Sequence, residues 1–188
     1  MRDMRSLRPA SAIVMTVALA AAAGAFATSD ERSTNPATRL NGLTLPDAKV
    51  AVTYPFNWYV TTRRLDYVVD PHTLLAVASY VIPLRAGANC DGTQGRGRPA
   101  DGAFILLKEV LDRASLRRSL PRLPPRPIRF KVPSGGRAGC LPPYSAVDQF
   151  RVASRAFYVY VSVGPRATKA TRAAVARVLD TMKIAAMR

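Results

Sequence analysis

Residues 146–163 read AVDQFRVASRAFYVYVSV, and residues 168–182 read TKATRAAVARVLDTM. In the first stretch the odd-numbered residues from Phe157 to Val163 fall on one face of a strand and the even-numbered residues fall on the other. Together with residues 146–152, this pattern predicts a β-hairpin around Ala153-Ser154-Arg155. In the second stretch apolar residues return at helical spacing, which predicts a one-sided helix that packs on a sheet.

Upstream residues extend this pattern into a sheet. Residues 43–54 look extended on either side of Pro46-Asp47, residues 58–62 favour another strand, and the apolar run 74–82 predicts a central strand. Residues 104–111 fit a strand or a helix face, and we expect a strand that passes into a short helix at 112–120. Antiparallel strands followed by a terminal helix predict a single α+β domain, an antiparallel sheet with the C-terminal helix packed on one face.

The first 27 residues have the layout of a secretory signal peptide. Arginines precede an apolar run, and Ala25-Phe26-Ala27 has the small-x-small pattern of a cleavage site. We expect cleavage after Ala27, a flexible tail over residues 28–41 and one folded domain over residues 42–188 in a secreted or extracytoplasmic protein. A retained membrane anchor is the alternative, but the run is alanine-rich and short of the roughly 20 strongly apolar residues of a spanning helix.

Cys90 and Cys140 are the two cysteines of the chain. Because exported proteins enter an oxidising compartment, a disulfide is the simplest state for this pair. Both lie in glycine-rich surroundings, which indicates a structural bond between two loops that removes roughly 4 kcal/mol of unfolded-state freedom. A redox-active pair is the alternative, but such pairs usually have the close Cys-x-x-Cys spacing that this sequence lacks.

Positive charge dominates the chain, which has 28 Lys plus Arg, 12 Asp plus Glu and a formal net charge of +16. Residues 113–137 are rich in arginine and contain no acid, and prolines stiffen this segment, which we call the basic strip. Guanidinium groups on a stiff chain bind phosphates bidentately with little loss of chain entropy. The candidate anion-binding residues are Arg117, Arg118, Arg122, Arg126, Arg129 and Lys131.

The strip predicts the chemistry of a partner. Outside the cytoplasm the expected partners are an anionic polymer of the cell envelope or a lipid surface, to which a basic protein is attracted without sequence specificity. Phe130 is the lone aromatic residue of the strip, so specific recognition of nucleic acid is not expected. A solvated charged surface in an arginine-rich chain is the alternative interpretation.

Catalytic groups are scarce in this sequence. The single histidine, His72, follows Asp70-Pro71 in what we expect to be an exposed turn, and no nucleophile motif accompanies it. A pair of carboxylates that cleaves a glycosidic bond is the other possible catalytic site. Nearby arginines, however, offer the candidate acids salt bridges instead. The acids considered are Asp66, Asp70, Asp101, Glu109 and Asp148.

Composition also limits metal and cofactor chemistry. One histidine excludes a multi-histidine metal site, and two cysteines exclude a cysteine-rich zinc module. The glycine-rich run 92–97 lacks the Lys-Ser/Thr pair of a phosphate loop. We therefore expect no catalytic residue, no metal and no cofactor.

Two short pieces of the chain resemble PsbP-like domains. Tyr54-Pro55-Phe56-Asn57-Trp58 is similar to the start of those domains, and the strand at 157–164 followed by a helix with Val178-Leu179-Asp180 is similar to their end. The same features look like those of many exported proteins of high-GC bacteria. The resemblance implies a sheet backed by helices and implies no activity, because that fold hosts binding and accessory roles. We expect an exported, non-enzymatic binding or accessory domain, with a secreted hydrolase as the alternative.

Overall fold

The computed structural model describes residues 39–65, 69–83, 98–111, 120–122, 130, 132–135 and 143–186. Within these ranges the chain forms a mostly antiparallel β structure with a C-terminal helix, which confirms the predicted α+β class. The elements are β1 (Leu40–Leu45), β2 (Val50–Pro55), β3 (Tyr59–Thr61), β4 (His72–Ala78), β5 (Ala103–Val110), β6 (Ser145–Val152), β7 (Arg155–Val163), α1 (Lys169–Thr181) and β8 (Lys183–Ile184).

The described strands form two sheets, whereas the sequence predicted one. A three-stranded sheet has the order β1-β2-β8, and a five-stranded sheet has the order β3-β4-β5-β7-β6. The extended stretch around Pro46 is a tight hairpin, in which Leu45 pairs with Val50 and Lys49 adopts a positive φ of 49°. β1 begins at Leu40, so the last residues of the predicted flexible tail belong to a strand.

The C-terminal hairpin and helix agree with the sequence prediction. β6 and β7 pair from Ser145 with Ser162 to Val152 with Arg155, and Ala153 takes a positive φ of 52° in the turn. Helix α1 begins after Thr168, whose Oγ1 accepts a 3.0 Å hydrogen bond from the Thr171 backbone N–H. This N-cap satisfies a backbone donor that the helix itself leaves free.

Helix α1 and the three-stranded sheet cover one face of the five-stranded sheet. We call it the helix-side face; Ile105, Leu107, Phe157, Val159 and Val161 lie on it and pack with Val175, Val178 and Leu179 of the helix. Val50 and Val52 of β2 complete this core. Thr181 fastens the end of the helix to β2, because its Oγ1 bonds to both the N–H and the C=O of Thr53.

The opposite face of the five-stranded sheet is also covered. It carries Ala76, Ala78, Phe104, Leu106, Tyr158, Tyr160 and Ser162. Leu65 and Ile82 pack on one part of it, and Leu120 packs near Val110 on another. Because both faces are covered, every residue of β5 is buried, and this explains why the period-two signal that separates a strand from a helix is missing at 104–111.

The predicted central strand differs from β4 in its limits. β4 starts at His72 and ends at Ala78, four residues before the predicted end. At Ser79 the backbone N–H still donates to the carbonyl of Ala103 at 3.0 Å, but the N–H of Ala103 donates to the Ser79 hydroxyl at 2.9 Å instead of to a backbone carbonyl. The predicted signal peptide and both cysteines lie outside the described residues, and so do residues 112–119 of the helix predicted at 112–120.

Candidate functional site

The basic strip enters the described structure at the edge strand β6. Arg122 forms a parallel bridge with Arg151 of β6, and the Arg151 backbone N–H donates a 2.8 Å hydrogen bond to the carbonyl of Pro121. The Arg151 Nε also donates to the carbonyl of Leu120 at 3.1 Å. The backbone of the strip is thus fixed here, while the Arg122 side chain is exposed.

A second attachment lies on the other side of β6. The ring of Phe130 packs on Phe150 with 5.7 Å between centroids, on the helix-side face. Leu120, by contrast, is buried beside Val110 and Ala156 on the opposite face. The strip is therefore attached to both faces of the sheet at the β6 edge. Five of the six candidate anion-binding residues, Arg117, Arg118, Arg126, Arg129 and Lys131, lie outside the described residues.

A buried ion pair occupies the far end of the helix-side face. Arg155 is 1 % exposed and Glu109 is 3 % exposed, and Arg155 Nε lies 2.8 Å from Glu109 Oε1. Arg155 Nη1 donates to the carbonyls of Ala48 and Ala185 at 2.7 and 3.1 Å. The Arg155 guanidinium also lies over the ring of Phe157, 4.8 Å from its centroid. These contacts hold the two sheets together and leave the carboxylate no free oxygen for acid–base work.

The prediction that His72 lies on an exposed turn is wrong. His72 is the first residue of β4, half-buried and opposite Glu109 in the strand register. Its Nδ1 is buried and has no hydrogen-bond partner within the described part of the chain. The side chain of the following residue, Thr73, points to the other face, so it offers His72 no hydroxyl nucleophile.

The other candidate acids lie in different settings. Asp70 Oδ1 accepts a 2.7 Å hydrogen bond from the backbone N–H of Leu111, and Asp101 is exposed. Asp148 is half-buried on β6, and burial raises the pKa of its carboxyl above the ordinary aspartate value. Asp66 lies outside the described residues. Glu109 is engaged by Arg155, so the described acids show no carboxylate pair that is free to act on a glycosidic bond.

Sequence reasoning missed a polar cluster at one end of the opposite face. Arg98 Nη1 donates to the hydroxyl of Ser162, and both Nη atoms lie 3.2 Å from the carbonyl oxygen of Pro143. Ser145 is paired with Ser162 across the hairpin, and Tyr80 interacts electrostatically with Arg98. We call these four residues, Arg98, Tyr80, Ser145 and Ser162, the polar cluster. A lone arginine after a glycine-rich run carries no sequence signal for such a site.

Tight backbone packing holds Arg98 in place. The following turn is closed by a 2.9 Å hydrogen bond from the Gly102 N–H to the carbonyl of Pro99. Backbone hydrogen bonds of 2.7 Å then join Gly164 to Gly102 and Arg166 to Ala100. A Cβ at position 164 would overlap the carbonyl of Ala100, so glycine is required there for the close approach.

Two further features of the described residues concern metal ligands and membrane-spanning helices. Three or more His, Cys, Asp or Glu side chains do not come together as metal ligands anywhere in these ranges. No helix within the same ranges is long and apolar enough to cross a bilayer.

Comparison with known proteins gave no match. No protein-family model fits the chain, and neither the curated proteins nor the solved structures include a significantly similar one. The resemblance to PsbP-like domains therefore stays a prediction from two short motifs.

Proposed function

We propose that this protein is an exported, non-enzymatic binding domain that attaches to anionic components of the cell envelope through the basic strip. The proposal includes removal of residues 1–27 during export. The observation that carries it is the attachment of the strip on both sides of β6, at Arg122 and at Phe130. Attached ends reduce the conformational entropy that a charged segment loses when it binds, which favours binding over a free charged tail.

Charge supports the same function. The formal net charge of +16 attracts the protein to anionic surfaces, and the attraction weakens as salt screens it. Arg122 leaves its side chain in solvent while its backbone is held by β6, as expected for a residue that presents charge to a partner. Arg126 and Arg129 lie between the two attachment points in the sequence.

The alternative, a secreted hydrolase, receives less support from the same residues. His72 lies opposite Glu109, but both oxygens of that carboxylate bond to Arg155. Glu109 therefore does not orient the imidazole as the acid of a catalytic triad does. A hydrolase that used His72 would lose its activity in a His72→Ala variant, while vesicle binding would be unaffected.

Vesicle binding tests the proposal. Protein expressed from the full chain and purified after export is mixed with phosphatidylglycerol vesicles, with phosphatidylcholine vesicles or with immobilised heparin as a model polyanion. We expect binding to the anionic vesicles or to heparin and none to phosphatidylcholine. Heparin and the lipid vesicles distinguish a polymer partner from a lipid surface.

A matched pair of variants separates the strip from general charge. The strip variant replaces Arg117, Arg118, Arg122 and Arg126 with Ala, and the control variant replaces Arg63, Arg166, Lys169 and Arg177 with Ala. The four control residues are exposed and lie outside the strip, so the net charge falls equally in both variants. We expect only the strip variant to lose binding. Equal losses in both variants would mean that net charge alone is responsible and would contradict a role for the strip.

A further inference from the structure

The polar cluster contains a positive charge that contacts no carboxylate within the described residues. Arg98 is half-buried, and within the described part of the chain it contacts a hydroxyl and a carbonyl but no carboxylate. Burial lowers the pKa of its guanidinium, opposed by the nearby Tyr80. The hydrogen bonds to Ser162 and Pro143 offset part of the cost of desolvating this charge, and within the described residues no opposite charge offsets the rest.

Several donors in this cluster are also unused. Within the described residues, the buried atoms Arg98 Nε, Tyr80 Oη and Ser145 Oγ have no hydrogen-bond partner. Buried polar atoms of folded proteins are nearly always paired, so the unpaired guanidinium Nε and the two unpaired hydroxyls of this cluster need an explanation. The Ser162 hydroxyl accepts from Arg98, which leaves its own hydrogen available as a further donor.

The protonation state of Tyr80 fits the same pattern. Burial raises the pKa of its phenol to about 12, and the nearby Arg98 only partly offsets this effect. The hydroxyl thus stays protonated at physiological pH and is available as a donor to a bound group. A guanidinium and three hydroxyls are a set of donors with one positive charge, which is the chemistry that binds oxyanions.

We propose that Arg98, Tyr80, Ser145 and Ser162 bind an oxyanion, such as a carboxylate or a phosphate group. The anion accepts hydrogen bonds from the unpaired Nε and hydroxyls and neutralises the guanidinium. The turn at Pro99–Gly102, fixed to Gly164 and Arg166, holds the cluster in position before the anion arrives. This site is distinct from the basic strip and does not depend on the proposed function.

Thermal unfolding of the full chain with simple anions tests the proposal. Tm is measured at constant ionic strength while chloride is replaced by acetate, phosphate or sulfate; acetate reports carboxylate binding, and the other two report tetrahedral oxyanions. Bound anion stabilises the folded state, so Tm rises along a single-site binding curve. Sulfate and phosphate also stabilise proteins without binding, and for this reason the comparison is made between wild type and variants.

We expect the variants to differ from wild type in one way in chloride, through Tm, and in another way with oxyanion, through the apparent affinity. In chloride, Tyr80→Phe and Ser145→Ala unfold at the same Tm as wild type or higher, because each removes a buried hydroxyl that has no partner. Ser162→Ala is the matched contrast; it lowers Tm, since its hydroxyl is bonded to Arg98. With oxyanion, Tyr80→Phe and Ser145→Ala each weaken the apparent affinity about tenfold. Arg98→Lys keeps the charge but loses the forked set of donors, so it weakens the apparent affinity for the oxyanion further.

Two results would overturn this inference. One is an equal rise of Tm in wild type, Tyr80→Phe and Ser145→Ala, which would be nonspecific salt stabilisation. The other is a Tyr80→Phe or Ser145→Ala variant that is as unstable in chloride as Ser162→Ala, which would mean that these hydroxyls already have partners. The strip variant should respond to oxyanions as wild type does, so failure of vesicle binding and failure of this site are distinguishable.

Discussion

Arg155 and Glu109 form a buried fork-to-fork ion pair, with Nε to Oε1 and Nη2 to Oε2 both at 2.8 Å. Because the guanidinium also donates to the carbonyls of Ala48 and Ala185, one side chain of β7 connects β5 to the β1–β2 turn and to the residue after β8. The two sheets are thus held together by polar contacts as well as by the shared apolar core.

Breaking this ion pair should strongly destabilise the folded protein. Glu109→Ala leaves the Arg155 charge buried and unpaired, so we expect a loss of about 3–5 kcal/mol in the free energy of unfolding. Urea denaturation measures it. The double variant Glu109→Leu with Arg155→Met serves as the control and should be more stable than Glu109→Ala, because no buried charge remains. A Glu109→Ala variant within about 1 kcal/mol of wild type would contradict this assignment.

Replacing Asp148 with Asn should increase stability by an amount that depends on pH. Burial raises the pKa of its carboxyl, so the folded chain holds this proton more tightly than the unfolded chain does. The stabilisation of the folded state by this tighter proton binding is present at low pH and is lost as pH rises through the raised pKa. Asp148→Asn should therefore be more stable than wild type at pH 7, by less than about 1 kcal/mol because the side chain is half exposed. Calorimetry from pH 3 to 7 checks this, and an advantage that grows toward pH 3 would refute it.

The disulfide between Cys90 and Cys140 stays a prediction. The segments that carry these cysteines end at Arg98 and Pro143, and the Arg98 side chain bonds to the Pro143 carbonyl at 3.2 Å. Intact mass should increase by about 2 Da on reduction, with a stability loss of about 2–5 kcal/mol. Two free thiols in protein purified after export would be the contrary result.

The attachment of the basic strip can be weakened without a change of charge. Phe130→Ala removes the ring that packs on Phe150 and should cost about 2 kcal/mol, less than a fully buried phenylalanine. We expect affinity for anionic vesicles to fall several-fold because the strip loses one attachment. Tyr59→Ala, at an exposed aromatic residue of β3, is the control. Unchanged vesicle affinity in Phe130→Ala would show that the attachment is irrelevant.

Local patterns predicted the C-terminal hairpin and helix, because period-two and helical spacing there report one-sided burial directly. The three-stranded sheet could not be predicted, since residues 43–54 show extended propensity but not the reversal at Lys49. The sequence pattern predicts a turn at Arg155, whereas its burial depends on Ala48, 107 positions away. Arg98 is likewise defined by contacts 45 and 64 positions away, with Pro143 and Ser162. The identity of a residue carries no information about such distant partners.

The central claim is that the basic strip binds anionic envelope surfaces, and a salt titration of vesicle binding tests it most directly. The dissociation constant for phosphatidylglycerol vesicles is measured from low to physiological salt for wild type, the strip variant and the matched control variant. Each arginine near an anionic surface contributes about 1 kcal/mol, so the strip variant should bind at least about a hundredfold more weakly than the control at low salt. Equal dissociation constants and equal salt dependence for the two variants would contradict the account.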